Sequence, residues 1–385
     1  MLQRPLRIDY TLLSIIICLF IFSLLAVNSG SGQYNPEDPY YFVIRQVIWY
    51  ILGFTIMIGV ALFDYELLEK WALPLYAAGV GLLLLVHFFG TTKNGSQRWI
   101  SLGFIEVQPS EFMKIFLILA LAATLSRIGK DRISFKKSIP ITIKSILLTV
   151  VPFVLILVQP DLGSALMIAA VSITLIFISS ISSKMISLLL ISMTAMLGFL
   201  IFLYRVYFDI FTTIFKPHQL GRIYGWLSPQ EFGSGYGYQL QQSMLGIGSG
   251  QITGAGFNQG VQVQNGKIPE AHTDFIFAVI GEEFGFIGAS ILIFLYFLLI
   301  YRIITIALKA NNLFGVYICV GVIGLIASQV FQNIGMTIGI MPITGLALPF
   351  LSYGGSALFT NMMALGLVIS VHLRSKDYMF SNKTT

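Results

Sequence analysis

Long apolar runs dominate this chain and restrict it to one structural class. Runs of about 17 to 25 residues, the length that spans a hydrocarbon core, alternate with short clusters of charge along all 385 residues. Only 10% of the residues are charged, against about 25% in soluble domains. This composition excludes a soluble enzyme, and a transmembrane β-barrel would show alternating strands of about ten residues instead. The sequence predicts an all-α polytopic membrane protein.

We predict ten spans within a single integral membrane domain that covers residues 1–385. They are 10–28, 41–63, 72–90, 109–126, 143–158, 163–180, 185–208, 273–301, 312–335 and 351–373. Only four residues, Gln159 to Leu162, separate the fifth span from the sixth, which predicts a tight helical hairpin. An even number of spans places both termini on one side of the membrane.

The basic residues indicate which side that is. Fifteen of the 23 Lys and Arg residues fall on the side of the termini, counting Lys144 at the very start of the fifth span, five fall on the opposite side and three lie deeper within spans. Cytoplasmic flanks carry the excess of Lys and Arg, so both termini are predicted to be cytoplasmic. The net charge of +6 is then explained by orientation and by contact with anionic lipid, not by a nucleic-acid partner.

One external connection, 209–272 between spans 7 and 8, is far longer than an ordinary loop. It holds twelve of the chain's 36 glycines together with aromatic residues such as Trp226 and Tyr236. This mixture predicts a folded cap with an irregular backbone. Its glycine-rich segment 246–256 follows no predicted strand and lacks the G-K-[ST] sequence of a phosphate-binding loop. A nucleotide site is therefore not expected there.

Ionisable residues inside spans point to function, because each costs about 2.5–3.5 kcal/mol at the bilayer centre. Glu111, Lys114, Asp161 and Asp274 all lie near the external ends of predicted spans. An enzyme that acts on a lipid-linked substrate at the outer face would place its charges there. The deeper pair at positions 282 and 283, both glutamates, is instead the best argument for a transporter.

The acidic residues each have a structural alternative. Glu111 and Lys114 are neighbours on one helical face, so they either neutralise each other or face a ligand. Asp274 follows Thr273 at a predicted helix start, where it either caps the helix or acts as a general base. Asp161 either caps a turn or pairs with Lys114 or a substrate group.

Three further residues allow two interpretations each. Arg98 and Trp99 lie just before the fourth span, at the depth of the lipid headgroups, where they form an interfacial anchor or contact substrate. His272 is either a loop side chain or a ligand contact. The sequence alone leaves these alternatives open.

Five segments, in the same order along the chain, resemble the signatures of the SEDS family of RodA and FtsW peptidoglycan polymerases. They are NGSQRWISLGFIEVQPSEFMK (94–114), QPDLGSA (159–165), YGYQLQQSMLGIGSGQITGAGF (236–257), PEAHTDFIFAVIGEEFG (269–285) and LPFLSYGGSAL (348–358). The GFIEVQPSE and SYGGSAL sequences are most similar to the RodA branch, which acts in elongation.

The resemblance implies a glycosyltransferase that polymerises lipid II at the outer face of the membrane. The expected catalytic carboxylate, in the HTDF motif, is Asp274. The family also keeps residues at its cavity that match five positions here: Arg98, Trp99, Glu111, Lys114 and Asp161. Inverting displacement needs one base and positive charge on the departing pyrophosphate.

Arg222 joins Arg98 and Lys114 as a cation available to that pyrophosphate, and His272 completes the predicted substrate-binding set. The reaction is compatible with a divalent cation, although no His, Cys and Asp cluster specifies a metal site in the protein. A lipid II flippase, the division polymerase of the FtsW type and a noncatalytic scaffold stay open as alternatives.

The resemblance also implies a partner, a class B penicillin-binding transpeptidase, together with other cell-wall elongation proteins. The chain has no transpeptidase motif of its own outside the membrane, so it could extend glycan strands but not cross-link them. Small residues permit close helix approach. We therefore expect the partner to dock on span 9 at Gly315, Gly321 and Gly324.

Overall fold

The fold is known from a computed structural model, which describes residues 9–34, 38–93, 96–101, 103, 106–214, 217–230 and 235–375. Parts of the external connection (215–216 and 231–234) and the basic terminal segments (1–8 and 376–385) lie outside the described residues.

The described residues form fifteen α-helices, numbered α1 to α15 in chain order. Their bounds are Tyr10–Ser31, Tyr41–Leu62, Tyr65–Phe89, Pro109–Leu125, Phe135–Val158, Leu162–Ile178, Ser183–Val206, Phe208–Ile214, Pro217–Leu227, Tyr236–Ser249, Val261–Gln264, Ile276–Glu283, Gly285–Leu308, Leu313–Thr337 and Gly355–Arg374. A short 3₁₀ turn, Ser126–Ile128, follows α4.

Eight of the described helices are long and apolar enough to cross a membrane. The protein is therefore an all-α polytopic membrane protein, as the apolar runs predicted. The shorter helices α4 and α6 have 17 residues each, so the number ten stays a prediction. The fifth span begins at Phe135 instead of residue 143, so Pro140 lies inside the helix, where it removes one backbone hydrogen bond without ending the helix.

Burial differs widely among the membrane-spanning helices. In α14 and α15, 67% and 72% of the apolar window lies inside the protein, against 6% in α7. Helix α4 is also largely buried, and it packs against α3, α6 and α14. Three short antiparallel strands, which the sequence did not predict, precede α4. They are β1 (Thr91–Lys93), β2 (Ser96–Ser101) and β3 (Glu106–Val107).

The glycines of α14 do not form the partner surface that we expected. A Cβ on Gly321 would lie 2.6 Å from Ile118 of α4, and one on Gly324 would lie 2.9 Å from Thr174 of α6. Gly315 likewise packs against Tyr65 of α3. The close approach that these glycines permit is therefore used inside the bundle, and the prediction of a span-9 docking surface is wrong.

The predicted eighth span, 273–301, is broken into α12 and α13. Gly285 at the break has a φ of +63°, a conformation that favours glycine. Breaking a helix leaves carbonyl groups at one end and N–H groups at the other without partners. In a membrane protein such backbone is tolerated only where protein groups satisfy it.

The glycine-rich turn after α10 satisfies both sides of this break. The N–H groups of Ala255 and Gly256 donate to the carbonyls of Glu282 and Glu283, at 2.9 and 3.1 Å. The N–H group of Phe286 donates to the carbonyl of Gln251 at 2.9 Å. A Cβ on Gly250 would lie only 2.0 Å from the carbonyl oxygen of Gly281. The glycines of segment 246–256 thus let one backbone lie directly on another.

The external connection is folded in its described parts, as its aromatic residues predicted. It contains α8, α9, α10 and α11, so it is more helical than the irregular cap that we expected. Helix α10 packs against α9 and α12, and α11 packs against α1. These contacts attach the cap to the end of the bundle where the charged residues described next are found.

Candidate active site at one end of the bundle

Asp161 is the centre of a polar network at the tip of the α5–α6 hairpin. It caps α6 by accepting from the N–H group of Ser164 at 3.1 Å. Its second oxygen accepts from Gln108 Nε2 at 2.9 Å and from Ser110 Oγ at 3.3 Å. Arg98 Nη1 lies 3.8 Å from its first oxygen. Asp161 therefore has both of the roles that the sequence left open, as a cap and as the partner of a cation.

Arg98 reaches this network from β2. Its Nε donates to the carbonyl of Gln159 at 3.0 Å, and its Nη2 donates to the carbonyl of Pro160. Burial lowers the pKa of Arg98, an effect that the charge of Asp161 opposes. The expected pairing of Asp161 with Lys114 is not found among the described residues, where Arg98 is its charged partner.

Asp274 lies in the turn before α12 and outside the candidate membrane spans. Helix α12 begins at Ile276, and its N-cap residue is Phe275, which makes no side-chain capping bond. The capping alternative for Asp274 is therefore wrong, and its carboxylate is left for other contacts. One carboxylate oxygen lies 3.1 Å from the position that a Cβ on Gly345 would occupy.

The pKa of Asp274 is raised from 3.8 to about 6. Burial is the largest cause, and the nearby charges of Glu270 and Asp161 raise it further, while those of Arg222 and Arg98 lower it. Coulombic effects weaken with distance, so these charges share one end of the molecule with Asp274. A carboxylate poised near the operating pH is suited to general base catalysis.

Arg222 lies on α9 of the cap, at the same end of the bundle as Asp274. Its Nη1 donates to the carbonyl of Thr344 at 2.7 Å, and its guanidinium carbon lies 5.2 Å from the ring centroid of Tyr236. Its Nε is buried and has no hydrogen-bond partner within the described chain. Arg222 therefore presents an unused donor close to Asp274.

The connection between α14 and α15, residues 338–354, forms the floor of the site. Asn333 Nδ2 donates both to the backbone carbonyl of Asp274 at 2.8 Å and to that of Leu346 at 2.7 Å. A Cβ on Gly163 of the α5–α6 hairpin would lie 3.0 Å from the carbonyl oxygen of Thr344. This connection thus joins the Asp161 side of the site to the Asp274 side.

The sequence analysis did not identify Asn333, Thr344 or Gly345. They are neutral or act through backbone carbonyls, so the reasoning from intramembrane charge could not find them. The LPFLSYGG segment was noted only as a motif. Helix α15 starts at Gly355 instead of the predicted 351, so most of this segment lies in the connection before the helix.

Glu111 and Lys114 form the predicted buried pair on α4, with Lys114 Nζ 2.6 Å from Glu111 Oε1. Lys114 is fully buried, and the second oxygen of Glu111 is buried without a hydrogen-bond partner in the described chain. Glu111 follows Ser110 directly in α4, and Lys114 lies about one helical turn from Ser110, which contacts Asp161. Its role as a ligand contact stays a prediction.

His272 is buried among the rings of Tyr34, Phe42 and Tyr353, whose centroids lie 4.5, 4.7 and 5.7 Å away. Burial lowers its pKa, so the imidazole is neutral near pH 7. Trp99 lies beside Arg98 on β2 and is partly buried. The substrate contacts predicted for these two residues stay predictions.

Glu282 and Glu283, the best argument for a transporter, hold the cap in place. Glu282 accepts from the N–H groups of Gln262 and Val263 at 2.7 and 3.0 Å. Glu283 accepts from Gln264 Nε2 at 3.2 Å and from Ser29 Oγ. Packing of the cap on α1 and α12 therefore uses both oxygens of Glu282 and one oxygen of Glu283.

A metal held by protein groups alone has no evident place in the described parts of the chain. Those parts contain no group of three or more His, Cys, Asp and Glu side chains that could hold an ion. The positive charge near Asp274 comes from Arg98 and Arg222.

Comparisons with known proteins cover nearly the whole chain. The family model FTSW_RODA_SPOVE, described as "Cell cycle protein", matches residues 8–377. Stage V sporulation protein E of Bacillus subtilis is 34% identical over 373 residues, which cover 96% of this chain and 98% of that protein.

Two further relatives are named as enzymes. Peptidoglycan glycosyltransferase MrdB of Escherichia coli K12 is 35% identical over 370 residues, covering 96% of this chain and 95% of that protein. Probable peptidoglycan glycosyltransferase FtsW of Trichlorobacter lovleyi is 35% identical over 378 residues, with the same two coverages of 96% and 95%.

Solved structures agree with the helix arrangement. A chain from a structure titled "Structural coordination of polymerization and crosslinking by a peptidoglycan synthase complex" superposes with a TM-score of 0.78 at 32% identity, covering 95% of this chain and 98% of that one. The rod shape determining protein RodA of Thermus thermophilus superposes with a TM-score of 0.67 at 27% identity, covering 96% and 97%. The present chain belongs to the FtsW, RodA and SpoVE family of cell cycle proteins, which is the SEDS family that its motifs resemble.

Proposed function

We propose that this protein is a peptidoglycan glycosyltransferase that polymerises lipid II into glycan strands, with Asp274 as its general base. The observation that carries the proposal is the setting of Asp274. This carboxylate has a pKa of about 6 and lies among charges that include two arginines. Its relatives named as peptidoglycan glycosyltransferases support the same reaction class.

The chemistry requires a single base. Asp274 takes the proton from the acceptor sugar hydroxyl as the hydroxyl oxygen attacks the anomeric carbon of the donor. The bond from that carbon to the pyrophosphate oxygen breaks, and its electron pair leaves with the polyprenyl pyrophosphate. Displacement from the opposite face converts an α-linked donor into a β-linked product. A paired carboxylate, as glycoside hydrolases use, is not needed.

The leaving pyrophosphate needs positive charge as its bond breaks. Arg222 is the stronger candidate, because its Nε has no partner in the described chain and its charge affects Asp274. Arg98 adds a second charge, although its donors already hold the hairpin carbonyls of Gln159 and Pro160. We assign Arg222 to substrate contact, and Arg98 to both substrate contact and hairpin support.

The test is polymerisation of purified lipid II by the purified chain in detergent, where no second compartment exists and lipid transport cannot register. Asp274→Asn keeps the side-chain volume and removes the base, so the rate should fall by about 10²- to 10⁴-fold. The control is Asp209→Asn in α8, an exposed carboxylate outside the site. A folded Asp274→Asn protein with the wild-type rate would reject the proposal.

The names of the relatives indicate different cellular roles, since one is a sporulation protein and another is a rod shape determining protein. We propose an elongation role, supported by the GFIEVQPSE and SYGGSAL sequences. Expression of this chain should restore growth to cells depleted of their elongation polymerase, and not to cells depleted of their division polymerase. The opposite pattern would assign it to division.

We also propose a single-pass transpeptidase of the class B penicillin-binding type as its partner. The support is the similarity to a chain from a peptidoglycan synthase complex whose title couples polymerisation to crosslinking. Copurification from cells, with and without the transpeptidase, tests it. Full wall synthesis by this chain in cells that lack any such partner would contradict the pairing.

A further inference from the structure

Lys144 is a charged side chain inside a membrane-spanning helix. Helix α5 begins at Phe135, so Lys144 lies nine residues into it, roughly 14 Å from its start at 1.5 Å per residue. No side chain in the described parts of the chain forms an ion pair with it. Charges within spans are costly and usually mark a functional contact, and the Lys144 side chain is exposed on the outer surface of the bundle. An anionic partner there would offset the cost of its charge.

Lys144 lies where two cavities meet on the surface of the bundle. The larger is an open groove of about 380 Å³ between α3 and α5, lined mainly by apolar side chains such as Val80, Leu147 and Val151. Tyr76 joins the two walls, because its hydroxyl donates to the carbonyl of Leu148 at 2.9 Å. That carbonyl is free because Pro152, one turn later, has no N–H group. This hydrogen bond therefore links α3 to α5 across the groove.

The smaller cavity, of about 70 Å³, continues from Lys144 and is strongly basic. Three cations line it, Lys70, Arg127 and Lys144, against one carboxylate, Glu69, which gives a net charge of +2. It lies at the opposite end of the bundle from Asp274. Helix α4 runs from Pro109, beside the Asp161 network, to Leu125, just before Arg127.

We propose that these two cavities form one binding site for an anionic glycerophospholipid of the adjacent leaflet. Its phosphate lies among Lys70, Arg127 and Lys144, and an acyl chain lies along the groove between Val80 and Val151. The site is separate from the Asp274 site, and it does not depend on the proposed glycosyltransferase activity.

The arrangement favours a lipid over the other possible occupants. A free phosphate would use the basic cavity and leave the apolar groove empty. A helix of a partner protein would bury the groove but would not bring an anion to Lys144. A charged headgroup joined to an apolar chain matches both cavities at once. Basic residues near a membrane surface contribute about 1 kcal/mol each to the binding of anionic lipid.

The experiment measures binding of phosphatidylglycerol to the delipidated full chain in detergent by native mass spectrometry. Lys144→Gln should weaken binding by about fivefold, the change that corresponds to about 1 kcal/mol. The matched control is Lys137→Gln, which removes the same charge from a likewise exposed position on the same helix that lines neither cavity and should leave binding unchanged. Lys144→Arg keeps the charge and should retain binding even if the glutamine variant folds poorly.

The groove is tested separately with Val80→Trp, which fills it and should also weaken phosphatidylglycerol binding. Phosphatidylcholine should bind much more weakly than phosphatidylglycerol, and glycerol 3-phosphate should not compete at equal concentration. Equal losses in Lys137→Gln and Lys144→Gln would indicate diffuse attraction and overturn the site. Equal binding of both lipids, or full competition by glycerol 3-phosphate, would overturn it as well.

Discussion

At the scale of single residues, the environment of Asp274 predicts how activity depends on pH. The base must be ionised, so with a pKa of about 6 the rate should fall about tenfold per pH unit below pH 6. Glu270 raises that pKa, as the largest effect after burial. Glu270→Gln should therefore move the acidic limb of the pH–rate profile to lower pH.

The measurement is the rate of lipid II polymerisation between pH 4.5 and about 8 for each variant. Asp209→Asn removes a carboxylate from the same end of the protein without touching the Asp274 group, so its profile should match the wild type. An unchanged acidic limb in Glu270→Gln would mean that the limb does not report the ionisation of Asp274. A shift to higher pH would contradict the electrostatic argument directly.

The buried Glu111–Lys114 pair predicts that either single substitution destabilises the protein more than a double substitution does. Removing one member of a buried pair strands the other charge, at a cost of about 3–5 kcal/mol. Glu111→Ala and Lys114→Ala should each lower the thermal unfolding temperature, because Lys114 is fully buried. The double variant Glu111→Gln with Lys114→Met should recover most of that loss. Single variants with wild-type stability would show that the charges are hydrated instead of paired.

Charge at or near the external ends of the predicted spans led to this candidate site, since Arg98, Asp161 and Asp274 come together at one end of the bundle. Neutral groups gave no comparable signal. Asn333 holds the turn of Asp274 through a single amide, and Gly345 contributes only its lack of a side chain. A buried amide and a backbone carbonyl look the same in a sequence whether they support a site or an ordinary loop.

At the scale of helices and turns, the glycine-rich segment 246–256 predicts that alanine substitutions at two nearby glycines have different effects on stability. Gly250 follows α10 and lies directly on the carbonyl of Gly281, where a Cβ would be 2.0 Å away. Gly248 lies within α10 with open space around it. Gly250→Ala should destabilise the protein by about 1–3 kcal/mol, the usual range for overpacking. Gly248→Ala should be neutral or slightly stabilising.

Thermal unfolding in detergent measures both changes, and proteolysis of the cap reports whether α10 to α12 have loosened. If both alanine variants unfolded at the same temperature, the turn could not be what holds the broken span together. The break itself could not be predicted from hydropathy, because residues 273–301 are strongly apolar on average despite the two adjacent glutamates, Glu282 and Glu283. The break is explained only by the glycine-rich segment 246–256, whose neighbouring backbone satisfies the broken ends of the two helices.

At the scale of the whole molecule, the apolar runs predicted the fold class correctly because they follow from bilayer thickness alone. They could not predict which helices are central. The glycines of α14 match a docking surface for an external partner as well as they match the packing of α4 and α6 against them. Small residues indicate that two helices approach closely, and the identity of the second helix depends on the rest of the fold.

The distribution of basic residues predicts the orientation of the bundle in the membrane, which is the subject of the last prediction. The segment between α4 and α5 carries a dense group of basic residues, and such groups remain cytoplasmic. The Asp274 site lies at the other end, where Lys267 is exposed on the cap. A cysteine at Lys267 should react with a membrane-impermeant maleimide in intact cells, whereas one at Lys130 should react only after permeabilisation. The parent for both is Cys18→Ala, which retains the buried Cys319. The reverse pattern would place the catalytic end in the cytoplasm, where a glycan strand could not enter the wall.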